Sequence, residues 1–455
     1  MRYSAKIAAA FLLTVSLCAS FSAAAVDDSE RLTLYKEFRT SFDASSYEAA
    51  LPLADRLVRL TEQQYGGSEL ALVNPLVNLA TTQYRLQHYD AALDGYRRSV
   101  EILEAKAEKT DRQFIRALHG LGATYHALQR EEEAAAALKR AVDLSRNLDG
   151  LFNPAQLAML RPLISSYTAL DRFEEAGKEQ QYAFTIAENT YGKDDARLLP
   201  ALDQYARYHE DIGRYSTARA LHTRAIFIGE KAGGRNSSLS VQGLRGVART
   251  YRLAYLFGEE DVENASANPP AGINGGMLLP SSSLRSTGPS NEGERALKAA
   301  LQILTLKDKT PDRRLIGATL VDFGDWFLTI GVEDKAVVAY RDAWKNLSAA
   351  GTTALLDKPE PLVYRPPTAS SASKSDDPEN FDAHEVKLLF TVGPDGSVDD
   401  VVSQSTEANE SQTRSVISAM KKARYRPRFE NGEPVATREV AFTETVYTKH
   451  KEEKS

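Results

Sequence analysis

Residues 79–100, LATTQYRLQHYDAALDGYRRSV, and residues 121–142, LGATYHALQREEEAAAALKRAV, are one pattern displaced by 42 positions. The small residue that opens the second half recurs at Ala50, Ala92, Ala134, Ala176 and Ala218, always at steps of 42. Thirteen positions earlier in most units stands Leu79, Leu121, Leu163, Tyr205 or Val247, followed by Ala80, Gly122, Ile164, Ala206 or Ala248. An aromatic slot three residues before the aligned alanines holds Tyr47, Tyr89, Phe173 and Tyr215, with Glu131 as the exception. Small residues at such a spacing let two helices cross closely, while the aromatic fills the gap beside them. Gln87-His88, Asp171-Arg172 and Gly213-Arg214 read as turns inside a helix pair, and Gly66-Gly67, Asn153-Pro154, Gly192 and Gly233-Gly234 as breaks between pairs. One pair cannot bury its apolar face alone, so several must stack.

Beyond Tyr251 the period is interrupted. Residues 258–293 contain Asn268-Pro269-Pro270, Gly275-Gly276, Ser281–Ser283 and Gly288-Pro289, with no helical period, and read as a flexible insertion. A helix is expected to resume at Arg295 with Ala296, Ala300 and Ile303. A last unit follows with Phe323-Gly324, Phe327, Ile330-Gly331, Ala336, Tyr340 and Ala343. Val247 to Phe323 is 76 residues, one period plus 34. The count expected over residues 26–351 is about seven units.

This array resembles the tetratricopeptide repeat (TPR) family in a long-helix, 42-residue variant such as that of kinesin light chains. The resemblance implies a mostly α fold, a superhelix of helix-turn-helix units whose first helices line a concave groove that binds proteins or peptides. Carried onto this sequence, the groove positions are His119, His126 and Arg161, then Asp203, Arg207 and Glu210, then Gln242, Arg245, Arg249 and Arg252. Three arginines spaced four and three apart share one helix face. They read either as a clamp for a carboxylate or acidic peptide, or as a solvated face paired with Asp203 and Glu210. His119 and His126 lie two turns apart without a third histidine nearby, which argues against a metal site.

The period changes again near the C-terminus. Residues 352–380, rich in Pro and Ser from Lys358 onward, suit an extended linker. Val386, Leu388, Phe390 and Val392 then alternate as a strand with one buried face, and Pro394-Asp395-Gly396 reads as a turn. Val398, Val401 and Val402 read as a second strand, and Glu410–Lys422 as a helix closed by Arg424-Tyr425-Arg426-Pro427. Asn431-Gly432 is a hairpin signal, and Val440–Val446 a last strand. Residues 381–448 resemble the TonB C-terminal domain family, on VKLLFTVGPDGSVDDV at 386–401, AMKKARYRPRFENGEPV at 419–435 and REVAFTETV at 438–446. The matching positions are Val386, Pro394, Asp395, Gly396, Tyr425, Arg426, Pro427, Asn431 and Gly432. The resemblance implies a small α+β domain that docks a segment of an outer-membrane transporter by adding a strand to a sheet edge. The basic run Lys421, Lys422, Arg424, Arg426 and Arg428 alternates with Ala423, Tyr425, Pro427 and Phe429, as a helix end and strand would. Residues 449–455 form a charged tail.

The chain has 455 residues, 56 Lys plus Arg against 62 Asp plus Glu, and a net charge of −6. That balance argues against a general nucleic-acid binder. Arg2, Lys6, the apolar run Ile7–Leu17 and Ala23-Ala24-Ala25 read as a secretory signal at 1–25, cut before Val26. Loss of Arg2 and Lys6 leaves 54 basic and 62 acidic residues, a net charge of −8. The single cysteine, Cys18, lies inside that segment and lacks the small preceding residue of a lipoprotein signal. The alternative is an uncleaved anchor over residues 7–25, which would make the protein a TonB-like energy transducer of the inner membrane. It would lack that family's membrane histidine and Pro/Lys-rich spacer. No phosphate loop, Gly-x-Ser-x-Gly or His-Glu-x-x-His motif is present, and the reading includes neither enzyme chemistry nor a cofactor. The expectation is a periplasmic adaptor. Its groove binds one protein partner and its C-terminal domain another, among them envelope components or outer-membrane transporters.

Overall fold

The computed structural model describes residues 28–258, 291–306, 310–367 and 381–449. The signal segment with Cys18, most of the 258–293 insertion, residues 368–380 and the tail from His450 lie outside them. The chain divides into two compact units, residues 1–176 and 177–455.

The first unit contains α1 (Asp28–Asp43), α2 (Tyr47–Tyr65), α3 (Val73–Arg85), α4 (Tyr89–Lys106), α5 (Gln113–Ala127), α6 (Glu131–Asp149), α7 (Leu157–Ala169) and the start of α8 (Phe173–Tyr191). α1 packs with α2, α3 with α4 and α5 with α6 as hairpins. The aligned Ala50, Ala92, Ala134 and Ala176 are fully buried, as the close crossing requires. Gly122 sits where a Cβ would lie only 2.5 Å from Leu138 Cγ, so α5 and α6 approach at a distance no larger side chain allows. Each hairpin turns through one left-handed residue: Ser45, Gln87, Gln129 and Asp171 have φ of 59°, 62°, 59° and 56°. Between hairpins, Asn153 accepts a hydrogen bond from the Ala155 amide at 2.9 Å and starts the short turn into α7.

The second unit continues through α9 (Leu199–Asp211), α10 (Tyr215–Gly233), α11 (Val241–Phe257), α12 (Asn291–Leu304), α13 (Arg313–Thr329) and α14 (Glu333–Ala349). Ala218 and Ala336 hold the crossing position, both fully buried. α11 and α12 pack as partners although the insertion separates them in sequence. α12 begins at Asn291, four residues before the expected start, and Gly293 there lets the Trp326 ring close over its backbone.

The C-terminal region comprises β1 (Glu360–Val363), β2 (Phe381–Val392), β3 (Val398–Thr406), α15 (Glu410–Lys421), β4 (Arg424–Arg426), β5 (Arg428–Glu430), β6 (Glu433–Val435) and β7 (Thr437–Lys449). An antiparallel sheet has the order β3-β2-β7. The alternation of β2 sends Val386, Leu388, Phe390 and Val392 into a core with Val416 and Met420 of α15. A capping box at Asn409 and Gln412 starts α15. Asn431 and Gly432, at φ of 51° and 86°, make the β5–β6 hairpin. The fold is therefore mostly α, of stacked TPR-like hairpins, with a small C-terminal α+β domain.

Two sequence expectations for this region are corrected. Residues 352–367 are not a free linker, because Leu356 is fully buried and β1 pairs with β4. Arg424–Arg426 is strand rather than helix end, the helix stopping at Lys421. Val398, Val401 and Val402 do lie on β3 as expected; Val402 points away from the core and is 55% exposed, because the bulge at Asp400 (φ 53°) shifts the alternation. The domain is seated on the last hairpin: Phe429 packs with Tyr340, Leu347, Leu356 and Leu362 in one buried cluster. Its amide donates to the Leu356 carbonyl at 2.8 Å.

Candidate functional site

In the first unit, the expected groove positions sit on α5 and α7, which pack side by side. His119 makes a backbone hydrogen bond with Ala158, and burial lowers its pKa below the ordinary histidine value. His126 Nδ1 lies 2.8 Å from Glu131 Oε2 and 3.3 Å from Ser166 Oγ. Arg161 is exposed on α7. The two histidines thus have separate partners. Among the described residues no group of three His, Cys, Asp or Glu side chains could hold a metal ion.

In the second unit, α9, α11 and α13 pack one after another, and their facing side chains form a charge ladder. Arg207 Nε donates to Asp203 Oδ2 at 2.9 Å. Arg249 donates twice to Glu210, at 2.6 and 3.1 Å. His222 of α10 approaches the same carboxylate with Nε2 at 2.9 Å from Oε1. Burial of Glu210 opposes its ionisation, but His222 and Arg249 outweigh it and hold its pKa below the ordinary value. Arg245 Nε reaches Asp322 Oδ2 of α13 at 2.5 Å. Arg252 is half-buried, and its charge acts on Asp325. α11 is tied to both neighbouring first helices by its arginines: Arg249 meets Glu210, while Arg245 takes Asp322 rather than Asp203, and both side chains are part-buried rather than solvated.

A second buried charge pair was invisible in the sequence. Asp325 of α13 is 3% exposed, and Arg426 of β4 donates to both its oxygens, Nε at 2.8 Å and Nη2 at 2.6 Å. The Tyr340 hydroxyl donates to Asp325 Oδ1 at 2.9 Å, and Arg426 Nη1 donates to the Leu355 carbonyl at 3.0 Å. Burial would raise the Asp325 pKa, but the Arg426 charge and its hydrogen bonds hold it below the usual carboxylate range. A bidentate pair of this kind fixes orientation as well as distance.

The remaining C-terminal signature residues surround that pair or shape the sheet. Val386 is core. In the β2–β3 turn after Pro394, Asp395 accepts from the Ser397 amide and hydroxyl at 3.0 and 2.7 Å. Gly396 accepts from the Tyr425 amide at 2.9 Å, and a Cβ there would collide with the Tyr425 carbonyl and reach 2.8 Å from Leu328 of α13. The Tyr425 ring lies 5.4 Å from Phe390. Pro427, buried, separates β4 from β5. A Cβ on Gly432 would come 3.2 Å from the Trp344 ring, and Glu433 beside it pairs with Arg341 at 2.6 Å. The nine positions therefore build the domain and its seat on α13 and α14. Its accessible feature is the outer side of β3 and of β7, where no further strand pairs among the described residues.

A cleft of about 550 Å³ opens between the C-terminal turns of α9 and α11. It is lined by Arg207, Glu210, Asp211, Tyr215, Arg249, Leu253 and Phe257. Asp211, Leu253 and Phe257 escaped the sequence reading, and Tyr215 entered it only as a packing aromatic, because only the arginine spacing drew attention to this face.

Two tetratricopeptide repeat family models match the chain, one over residues 115–148 and one over 155–231. These hairpins are TPR repeats. No curated protein matches the chain. Among solved structures, the chain is similar to TPR-like repeats of a Podosopora anserina protein assigned as a kinesin light chain. The identity is 17%, covering 45% of this chain and 98% of that one, with a TM-score of 0.41. A tetratricopeptide repeat protein from Parabacteroides merdae is 14% identical, covering 70% and 93%, with a TM-score of 0.41. The apo form of RapI is 12% identical, covering 71% and 99%, again with a TM-score of 0.41.

Proposed function

We propose that this protein is an exported, periplasmic interaction adaptor of the bacterial envelope, without catalysis of its own. The TPR groove takes one protein partner. The C-terminal domain, read as TonB-like, takes a second by strand addition, in a role linked to envelope transport. The observation that carries this reading is the open side of β7, a 13-residue strand at the edge of its sheet. An unpaired edge is a row of backbone donors and acceptors ready for another chain. Because Arg426 and Phe429 seat the domain on α13 and α14, that edge would be presented rigidly rather than on a flexible tether.

Cell fractionation with N-terminal sequencing of the C-terminally tagged protein tests the location. A soluble periplasmic product starting at Val26 is expected, whereas an intact Met1 terminus in the inner membrane would replace the adaptor with an anchored transducer. For the edge, proline is placed singly at Thr443 and at Glu444. Neighbouring amides on a strand point to opposite sides, so one of the two faces outward. At least one variant should lose a partner that the wild type retains on affinity purification from envelope extracts. Retention of every partner by both would refute strand addition.

A further inference from the structure

The cleft between α9 and α11 has a charge balance that its arginines conceal. Arg249 is committed to Glu210 by two hydrogen bonds, and Arg207 to Asp203 by one. Asp211 is the lining carboxylate that makes no ion pair at contact distance among the described residues, although the Arg207 and Arg249 charges act on it from farther off. Although Asp211 is exposed, partial desolvation, and then the neighbouring Glu210 charge, raise its pKa above the ordinary value against the opposing charges of Arg207 and Arg249. Asp211 is also the last residue of α9, and Phe257 the last of α11. The opposite wall is apolar: Phe257 is 54% exposed and Leu253 half-buried.

We infer that this cleft binds an arginine or lysine side chain presented by a protein segment, with the cation at Asp211 and the aliphatic stem along Leu253 and Phe257. A guanidinium over an aromatic face gains further attraction, and a long basic side chain covers apolar surface while keeping its charge paired. A guanidinium–aromatic contact of this kind exists within the chain, where Arg219 lies 4.0 Å above the Tyr251 ring. The preference is the reverse of the acidic ligand suggested by the arginine spacing alone. It rests on the adaptor reading only for the existence of a protein partner.

The test uses the full-length protein with methyl-labelled leucine, following the Leu253 resonance during titration with two acetylated, amidated peptides, Gly-Leu-Arg-Leu-Gly and Gly-Leu-Glu-Leu-Gly. The arginine peptide should shift Leu253 saturably, and the glutamate peptide should bind at least tenfold more weakly. Asp211→Asn and, separately, Phe257→Ala should each weaken the arginine peptide at least fivefold, and both positions are exposed enough to leave the fold intact. Equal or stronger binding of the glutamate peptide, or undiminished arginine binding by Asp211→Asn, would overturn the assignment. So would a Leu253 resonance unmoved by both peptides; partner retention through β7 would then still stand, separating failure of this site from failure of the adaptor reading.

Discussion

Replacing Arg426 by Met should detach the C-terminal domain from the last hairpin. The substitution keeps the aliphatic stem but leaves Asp325, whose side chain is 5% exposed, as a buried charge without its counter-ion. Removing one member of a buried, hydrogen-bonded pair costs about 3–5 kcal/mol, most of it the desolvation of the surviving charge. The double variant Asp325→Leu/Arg426→Met removes both charges and should regain most of that loss. It would fall short by about 1 kcal/mol for the Tyr340 hydroxyl, which loses its acceptor. The assay is built in: the only two tryptophans, Trp326 and Trp344, belong to α13 and α14. Trp344 packs against the cluster containing Phe429, so urea unfolding followed by tryptophan emission reports this junction. The pair should also make the junction acid-sensitive. Burial opposes ionisation of Asp325, yet Arg426 keeps its folded pKa below the unfolded value near 4. The stabilisation is therefore complete above about pH 4 and is lost as pH falls through the folded pKa, a loss the double variant should not show. A cost below about 1 kcal/mol for Arg426→Met, or a double variant as unstable as the single, would refute the reasoning.

Gly122→Val should destabilise the first unit by about 1–3 kcal/mol, because its Cβ would overlap Leu138 and force α5 and α6 apart; a thermal midpoint unchanged by the substitution would contradict the close crossing. His209, whose two ring nitrogens have no hydrogen-bond partner among the described residues, has its pKa lowered to about 4 by burial and then by the Arg214 charge. A histidine depressed in the folded state stabilises fully above its unfolded value near 6.5 and loses that contribution as pH falls toward 4, roughly 3 kcal/mol in all. Comparing urea midpoints at pH 7 and pH 4.5, wild type should weaken more than His209→Leu; parallel behaviour of the two would show that His209 is not the titrating group.

The repeat was legible because its physics is local. A small residue every 42 positions reports a helix crossing, and each crossing involves neighbours in sequence. The hairpins at Asp395-Gly396 and Asn431-Gly432 were readable for the same reason, since turn chemistry is decided within four residues. The groove arginines were located on their helix face by spacing alone, but not their partners. Arg245 meets Asp322 across 77 positions, which include the insertion, and nothing in either segment encodes that distance. The stretch after Thr352 misled because Pro and Ser suggest an unpaired chain. Burial of Leu356 depends on Phe429, which arrives from the other side of a domain.

The sequence by itself determined the TPR-like hairpins, their period, and near the C-terminus the order β2, β3, α15, the β5–β6 hairpin and β7, though not β1 or β4, because periodicity and turn residues act over a few positions. Only the tertiary structure decided what the charges do. It closed Arg249 on Glu210 and left Asp211 exposed beside Phe257. It also joined Arg426 to Asp325 across 101 residues of chain. Electrostatic pairing depends on distances of a few ångströms between segments remote in sequence, and those distances come into being only when the hairpins stack.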